Sequence, residues 1–385
     1  MNYKISKRGN VSSFMVMDIM RQANDIEKKG NSVIHFEVGQ PSRGIPDSIK
    51  DYLKNAIYSD DLGYTDSIGI YSLRENISKF YKDYYGIRVH SDSIIVTSGS
   101  SAGIQLSLIA AFDVGDKIGI VSPGYPAYKQ LISSLSLVPH IINVDHKTGF
   151  QPTEEMIRDI DGLDGLIISS PSNPTGRILT SENMRKIFKY CQSKRIQIIS
   201  DEIYHGISYG QKCISGLAFG NDPIIVNSFS KYFCMTGWRV GWLVVPERLK
   251  LSLERLAQNH YIAPPSISQL VANKVLSKGK ELDKVVESYK INREILLDSL
   301  DSIGIKNFSY PDGAFYLYAD VSNITSDSNV FCRNLLFDEK VALTPGTDFD
   351  SKNGKKFIRL SYSCSKENLI EGLLRIKNWY RKNKK

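Results

Sequence analysis

In the stretch Ile224–Lys231 (IIVNSFSK), a short run of β-branched residues leads into a polar end that carries a lysine. Similar runs, apolar throughout rather than alternating, recur along the chain with helical patterns between them. Such runs are typical of strands buried on both faces of a mostly parallel sheet. The sequence therefore predicts an α/β fold, with strands at Ile94–Thr97, Lys117–Val121, Leu166–Ser169, Ile196–Ser200 and Ile224–Asn227.

Polar clusters follow four of these predicted strands. They are Ser98–Ser101, Ser170–Asn173, Asp201–Tyr204 and Ser228–Lys231. Ligands of open α/β sheets bind outside the carboxyl ends of the strands. We therefore expect the four clusters to converge on one ligand.

The two ends of the chain predict a second, smaller α+β unit. We expect a large domain over residues 46–269 and a small domain formed by residues 1–45 and 270–385. The elements expected in the small domain are helices at Phe14–Lys29, about Leu270–Ile303 and Asn329–Phe337, and strands at Val33–Val38, Ala314–Ala319 and Phe357–Tyr362.

Composition narrows the function classes. The 385 residues are 42% apolar and 23% charged, which is ordinary for a globular protein. The five cysteines form no CxxC pair and the six histidines are scattered, so neither disulfides nor a metal site is expected. The net charge of +8 is spread along the chain, with a denser run only at Arg381–Lys385, and predicts no nucleic-acid partner.

Targeting signals are not evident in the sequence. No stretch reaches the roughly 18 apolar residues of a membrane span. Met1–Asn10 is basic and polar, and the apolar stretch Phe14–Met20 contains Asp18, unlike a signal peptide. We expect a cytoplasmic protein with no membrane partner.

Lys231 and the following Met235–Trp242 (MTGWRVGW) carry the strongest chemical signal. An isolated lysine is most simply a solvated surface residue. Here hydroxyl residues flank the lysine, and Arg239 adds a cation with a planar fork suited to phosphate. A desolvated amine near another cation has a lowered pKa and can attack a carbonyl.

The pattern S-x-S-K-x-x-x-M-T-G-W-R-x-G resembles the lysine motif of the class I/II aminotransferases, which are fold type I enzymes that depend on pyridoxal 5′-phosphate. The resemblance extends over nearly the whole chain, in one order and spacing. The further matching segments are Tyr64–Ile70, Ser122–Tyr128, Asn173–Gly176, Asp201–Tyr204, Gly313–Tyr316 and Ile358–Tyr362.

The resemblance implies a role for each matched cofactor residue. Lys231 would form the Schiff base with the cofactor and serve as general base and acid. Asp201 would keep the pyridinium nitrogen protonated, so that the ring can accept electrons. Asn173 and Tyr204 would bind the phenolic oxygen, and Tyr125 would stack on the ring.

The phosphate would lie where a helix expected over Ile104–Phe112 begins. By resemblance, Ser100, Ser101 and Ala102 would form its cradle, and Ser228 and Arg239 would complete it. Tyr64 matches the tyrosine that reaches the phosphate across a dimer interface, which implies a homodimer with shared active sites.

Substrate contacts are implied at three positions. Arg359 would grip the α-carboxylate through its bidentate fork. Asn173 and the backbone of Gly39 would lie near the same group. Glu202, adjacent to Asp201, is expected to be structural.

The resemblance implies a ping-pong aminotransferase acting on an L-amino acid and a 2-oxo acid. Several departures make dedicated aspartate specificity doubtful: Ser42 stands where the family has an acidic residue, Ser101 where a subgroup has lysine, and Ala257–Ser266 contains no arginine. Arg43 could serve acidic substrates or lie in a surface loop. We favour an aromatic or neutral amino acid, with glutamate as a candidate amino donor.

Two other functions remain open at this point. The same fold hosts carbon–sulfur β-lyases and related amino-acid lyases or synthases, and fold alone does not fix function. A non-catalytic amino-acid sensor is a more remote alternative.

Overall fold

The computed structural model describes residues 4–59 and 62–383. The ends of the expected small domain, Met1–Tyr3 and Lys384–Lys385, lie outside the described residues. The last two residues of the basic run Arg381–Lys385 therefore lie outside them as well. The α-helices are α1 (Met15–Glu27), α2 (Asp47–Ser59), α3 (Tyr71–Tyr85), α4 (Gly99–Ala111), α5 (Pro126–Ser134), α6 (Glu154–Arg158), α7 (Ser181–Lys194), α8 (Lys250–Tyr261), α9 (Ser266–Val275), α10 (Gly279–Ser299), α11 (Ser328–Asp338) and α12 (Lys366–Asn383). The strands are β1 (Ile34–His35), β2 (Ile94–Thr97), β3 (Lys117–Ser122), β4 (Val138–Asn143), β5 (Gly165–Ser169), β6 (Gln197–Asp201), β7 (Ile224–Ser228), β8 (Gly241–Val244), β9 (Asn307–Ser309), β10 (Tyr316–Asp320), β11 (Val341–Ala342), β12 (Thr344–Pro345) and β13 (Phe357–Ser361).

In the described part of the chain, seven strands form one sheet, which we call the large sheet. Its order is β2-β8-β7-β6-β5-β3-β4. The strands are parallel except β8, which runs antiparallel to both β2 and β7. The expected mostly parallel α/β sheet is therefore confirmed, and β2, β5, β6 and β7 end at the same edge.

Both faces of the large sheet are covered, as the apolar runs predict. Ile225 packs in a core that extends to α10, α12 and the small sheet described below. Its neighbours Ile224 and Val226 point to the opposite face, where they pack with residues of α4 and α8. This two-sided burial fixes the strand ends that carry the polar clusters.

The small sheet is antiparallel, with the order β12-β13-β10-β9. Tyr318 of β10 lies opposite Arg359 of β13. Strands β1 and β11 form a separate parallel pair. This arrangement brings the N-terminal segment, β10 and β13 together beside the carboxyl edge of the large sheet.

Several expected elements differ in the structure. The prediction of one long helix over Leu270–Ile303 is wrong, because α9 and α10 are separate helices with a break at residues 276–278. The strand expected over Val33–Val38 is reduced to β1. Helix α4 begins at Gly99, five residues before the expected start, so Ser100–Ala102 lie in its first turn. Strands β4 and β8 were not expected.

No helix in the described residues is long and apolar enough to cross a membrane.

Candidate active site

The four polar clusters meet at one cavity, as the strand order predicts. This cavity, of about 250 Å³, lies between the carboxyl edge of the large sheet, the N-terminal segment and the small sheet. The predicted site residues that line it are Gly39, Ser100, Ser101, Tyr125, Asn173, Asp201, Tyr204, Lys231, Arg239 and Arg359.

Lys231 follows β7 and places its amine inside the cavity. Its Nζ donates a hydrogen bond to the carbonyl oxygen of Gly39 at 2.6 Å. Burial, with Arg359 and Arg239 nearby, lowers the pKa of Lys231 to about 8, although Asp201 opposes the shift. The amine is therefore much closer to its neutral, nucleophilic form at physiological pH than an ordinary lysine.

Asp201 ends β6 and is 2% exposed. Its carboxylate accepts hydrogen bonds from the hydroxyl of Tyr128 and, at 3.2 Å, from the N–H of Ile203. Burial raises the pKa of Asp201 to about 6, and both hydrogen bonds and Lys231 oppose the rise. At neutral pH the carboxylate is ionised and can stabilise a cationic ring nitrogen.

Arg359 is a fully enclosed cation on β13, 2% exposed. One guanidinium nitrogen donates to Asn173 Oδ1 at 2.9 Å, and the other donates to the Glu37 carbonyl and to Thr344 Oγ1. It forms no ion pair with any carboxylate of the described residues, and its Nε has no partner there. Because a buried cation without a counter-ion is costly, the site suits an external carboxylate.

The other end of the cavity is suited to an anion. Ser100 and Ser101 lie in the first turn of α4, and the N-cap residue Ser98 makes no side-chain capping bond. The first N–H groups of a helix attract negative charge. Gly99 has φ +81°, and a Cβ there would lie 2.5 Å from the guanidinium of Arg239. Only glycine therefore lets Arg239 approach this turn closely.

Three predicted cofactor residues do not line the cavity. Ala102 lies on α4 beyond it. Ser228 is buried, and its hydroxyl accepts a hydrogen bond from the N–H of Ser230 at 3.1 Å, so it supports the turn that carries Lys231. Tyr64 is 83% exposed on the surface of its own chain.

Glu202 points away from the cavity, as expected. Its Oε1 accepts hydrogen bonds from the hydroxyls of Ser200 and Ser215, both at 3.1 Å, and from the N–H of Gly216 at 2.7 Å. These contacts tie the end of β6 to the segment that precedes β7.

The sequence interpretation did not select several residues that shape the cavity. Tyr128 and Tyr316 lie within matched motifs, but the resemblance implies no role for either. Phe14, Val16 and Met17 come from the start of α1 and line the cavity with apolar surface. The ring of Phe14 meets that of Tyr125 edge-on at 5.9 Å. No local signal marks Phe14, because its neighbours in the cavity are distant in the chain.

Comparison with known families agrees with this geometry. A family model described as aminotransferase class I and II matches residues 31–376. That range contains every predicted site residue. The chain belongs to this aminotransferase family.

Individual relatives match the chain from end to end. The valine–pyruvate aminotransferase of Mycobacterium tuberculosis is 39% identical over 98% of this chain and 99% of the relative. The (5-formylfuran-3-yl)methyl phosphate transaminase of Methanocaldococcus jannaschii is 38% identical over 97% of this chain and 98% of the relative. A crystal structure of an aminotransferase from Mycobacterium tuberculosis, also 39% identical, superposes with a TM-score of 0.96 over 99% of this chain and 100% of the other.

The protein is thus a fold type I aminotransferase, an enzyme that transfers amino groups. The family depends in general on pyridoxal phosphate, and the cavity of this aminotransferase fits that cofactor. A buried amine and a buried carboxylate lie in one cavity, Arg359 lacks a counter-ion, and glycine at position 99 leaves room for Arg239 beside the first turn of α4.

Proposed function

We propose that the protein is a pyridoxal phosphate-dependent aminotransferase of neutral L-amino acids, with Lys231 as its catalytic residue. The observation that carries the proposal is the placement of the Lys231 amine in one cavity with Asp201 and Arg359. Such a set provides a nucleophile, a buried anion and a carboxylate receptor.

The chain's own residues divide the work. Lys231 would hold the cofactor through its amine, Asp201 would bind the ring nitrogen, and Asn173 and Tyr204 would bind the phenolic oxygen. Tyr125 would cover the ring, while Ser100, Ser101 and Arg239 would hold the phosphate. When bound, pyridoxal phosphate acts as an electron sink for the substrate's Cα.

Arg359 would orient the amino acid through its carboxylate, assisted by Asn173 and the backbone of Gly39. As a general base, the amine of Lys231 would remove the proton from the substrate's Cα. As a general acid, it would then deliver that proton to the cofactor. We infer ping-pong kinetics, since the amino acid and the 2-oxo acid would use the same site in turn.

The lining of the cavity favours a neutral side chain. Among the described residues, its cations are Lys231, Arg239 and Arg359, each already assigned to the cofactor or to the α-carboxylate. Arg43 is exposed and does not line it. Phe14, Val16, Met17 and Ile104 present apolar surface instead. The two relatives at 39% and 38% identity have names with different substrates, so the substrate class rests on the cavity.

We also propose a homodimer in which Tyr64 of each chain completes the partner's phosphate site. A second proposal divides the chain into a large domain of residues 46–269 and a small domain of residues 1–45 and 270–385. The high exposure of Tyr64 supports the first proposal. The separate large and small sheets support the second, although the boundary at residue 269 falls within α9.

The test compares wild-type protein with Lys231→Ala and a control, Lys189→Ala, which removes an exposed lysine of α7. After reconstitution with pyridoxal phosphate, wild type and Lys189→Ala should transaminate valine at least about tenfold faster than aspartate. Lys231→Ala should lose activity by about a thousandfold or more. Transamination by Lys231→Ala at the wild-type rate would contradict the proposal, and a preference for aspartate would contradict its substrate class.

A further inference from the structure

Tyr316 begins β10 and lies in the wall of the active-site cavity, with only 1% of its surface exposed. Its side chain contacts three residues to which a function has been assigned: Tyr204, Arg359 and Gly39. The hydroxyl meets Tyr204 and Gly39, whereas the ring meets Arg359, so the hydroxyl and the ring can be removed separately.

The hydroxyl of Tyr316 lies 2.8 Å from the hydroxyl of Tyr204. The two rings are nearly perpendicular, at 80°, with centroids 5.6 Å apart. Around the Tyr204 side chain, the charged groups are those of Lys231, Arg359 and Asp201. If Tyr204 donates its proton to a cofactor oxygen, Tyr316 is placed to donate to the oxygen of Tyr204, and such chains of hydrogen bonds strengthen each donor.

The ring of Tyr316 lies beneath the guanidinium of Arg359. The Arg359 Cζ is 4.5 Å from the centroid of Tyr316 and 4.7 Å from that of Phe349. A desolvated cation over an aromatic face is stabilised without neutralisation of its charge. The guanidinium is thus held in one plane while its charge stays available to a substrate carboxylate.

The end of the Tyr316 side chain also fills the space above Gly39. A Cβ on residue 39 would lie 1.9 Å from the Tyr316 hydroxyl oxygen, so the two residues fit only as a pair. The carbonyl of Gly39 in turn accepts the hydrogen bond of the Lys231 amine. Tyr316 therefore touches the segment that holds the amine.

We propose that Tyr316 is a positioning residue with two separable actions, its ring orienting Arg359 for the substrate carboxylate and its hydroxyl orienting Tyr204 for the cofactor. The inference rests on the proposed function, because it assumes that Tyr204 serves pyridoxal phosphate. It predicts that removal of the hydroxyl and removal of the ring have different consequences.

Three variants separate these actions. Tyr316→Phe removes the hydroxyl and keeps the ring, and Tyr316→Leu removes both. Tyr318→Phe is the matched control, because Tyr318 lies on the same strand, is 0% exposed, and has a hydroxyl without a hydrogen-bond partner in the described residues. The measurements are the pH midpoint of the visible absorption change of the reconstituted protein, and calorimetric binding of 3-methylbutanoate, a carboxylate that has no amine and cannot react.

Tyr316→Phe should raise the spectral midpoint by about half a pH unit or more, because Tyr204 becomes a weaker donor. It should bind 3-methylbutanoate as wild type does. Tyr316→Leu should shift the midpoint and also weaken 3-methylbutanoate binding by about fivefold or more. Tyr318→Phe should match wild type in both measurements.

A Tyr316→Phe midpoint equal to that of Tyr318→Phe would overturn the action of the hydroxyl, and wild-type affinity in Tyr316→Leu would overturn that of the ring. Tyr316→Phe keeps the ring and removes only the hydroxyl, so its result stands even where Tyr316→Leu lowers the melting temperature. If wild-type protein develops no visible band with pyridoxal phosphate, the proposed function itself fails. If the wild-type band forms and Tyr316→Phe titrates unchanged, only the inference fails.

Discussion

The amine of Lys231 illustrates how the fold changes the chemistry of one residue. In the sequence it is one of 49 basic residues, and most lysines are solvated. In the structure, burial and two arginines lower the pKa of Lys231 to about 8. The unfolded chain would hold the same amine near its ordinary value of roughly 10.4.

This pKa makes a prediction for the apoprotein. Below about pH 8 the Lys231 amine is protonated and unreactive, and above it the neutral amine predominates. Acetylation of Lys231, followed by mass spectrometry of its peptide, should therefore show a rate midpoint near pH 8. Exposed lysines such as Lys189 in the same sample are the control. A Lys231 midpoint that coincides with theirs would contradict the assigned environment.

The residues of the site were predictable where a motif marks them. Lys231, Asp201, Asn173, Tyr204, Arg239 and Arg359 all line the predicted cavity. Tyr128 and Tyr316 were not selected, because their importance lies in hydroxyl contacts with Asp201 and Tyr204 that only the folded chain creates. Tyr64 is exposed on its own chain, and its proposed contact belongs to the partner's site.

Helix α1 shows the same dependence at the scale of an element. Its N-cap residue, Phe14, offers no side-chain hydrogen bond. Asp348, more than 300 positions further along the chain, accepts the hydrogen bond of the Met15 N–H at 3.2 Å instead. An acidic group at a helix start also favours the helix dipole. A distant residue thus fixes the turn that carries Phe14, Val16 and Met17 over the cavity.

Asp348→Ala should loosen the first turn of α1. The lost cap is worth about 1 kcal/mol, so amide hydrogen exchange at residues 15–18 should accelerate by about fivefold. Asp348→Asn keeps an oxygen acceptor and should lie between the variant and wild type. Asp18→Ala is the control, because Asp18 lies in the same turn but, in the described part of the chain, pairs only with the exposed Arg21. Equal exchange in Asp348→Ala and Asp18→Ala would show that Asp348 does not anchor the helix.

The elements that the sequence failed to predict have physical reasons. Strand β4 contains Pro139 and, among the described strands, pairs only with β3 at the edge of the large sheet, a place where proline is tolerated. Strand β8 begins at Gly241, two residues after Arg239, so its first residues belong to the lysine motif. The break between α9 and α10 immediately precedes Gly279. A prediction from the spacing of apolar residues alone takes no account of that glycine. The buried parallel strands were predicted well because short runs that are apolar throughout are typical of strands buried on both faces of a sheet.

At the scale of the whole molecule, the exposed surface between α2 and α3 bears on the proposed dimer. Ile57, Tyr58, Leu62, Tyr64 and Tyr71 are large apolar side chains with exposed fractions of 54%, 91%, 40%, 83% and 57%. These residues lie close together in the sequence, and exposed apolar patches are typical of interaction sites. This segment contains Tyr64, which we assign to the partner's phosphate site.

Mixed dimers test that assignment. Tyr64→Ala and Lys231→Ala should each be impaired as homodimers. Coexpressed in equal amounts, about half of the dimers would be mixed, and each mixed dimer would contain one site with both native residues. Activity should therefore recover to about one quarter of the wild-type value. Coexpression of Lys231→Ala with Arg239→Ala is the control, because both residues belong to one chain's own cavity, so no site of a mixed dimer regains both and no recovery is expected. If the activity of the coexpressed Tyr64→Ala and Lys231→Ala chains equals the average activity of the two homodimers, Tyr64 acts within its own chain.

The claim on which the rest depends is that Lys231 holds pyridoxal phosphate covalently. Wild-type protein reconstituted with the cofactor should be reduced with borohydride, digested, and analysed by mass spectrometry for the modified peptide. The account predicts one phosphopyridoxyl group per chain, attached to Lys231, and none on the same peptide after prior incubation with an excess of valine. A label on another lysine, or no label on Lys231 in protein that shows the visible absorption band, would contradict it.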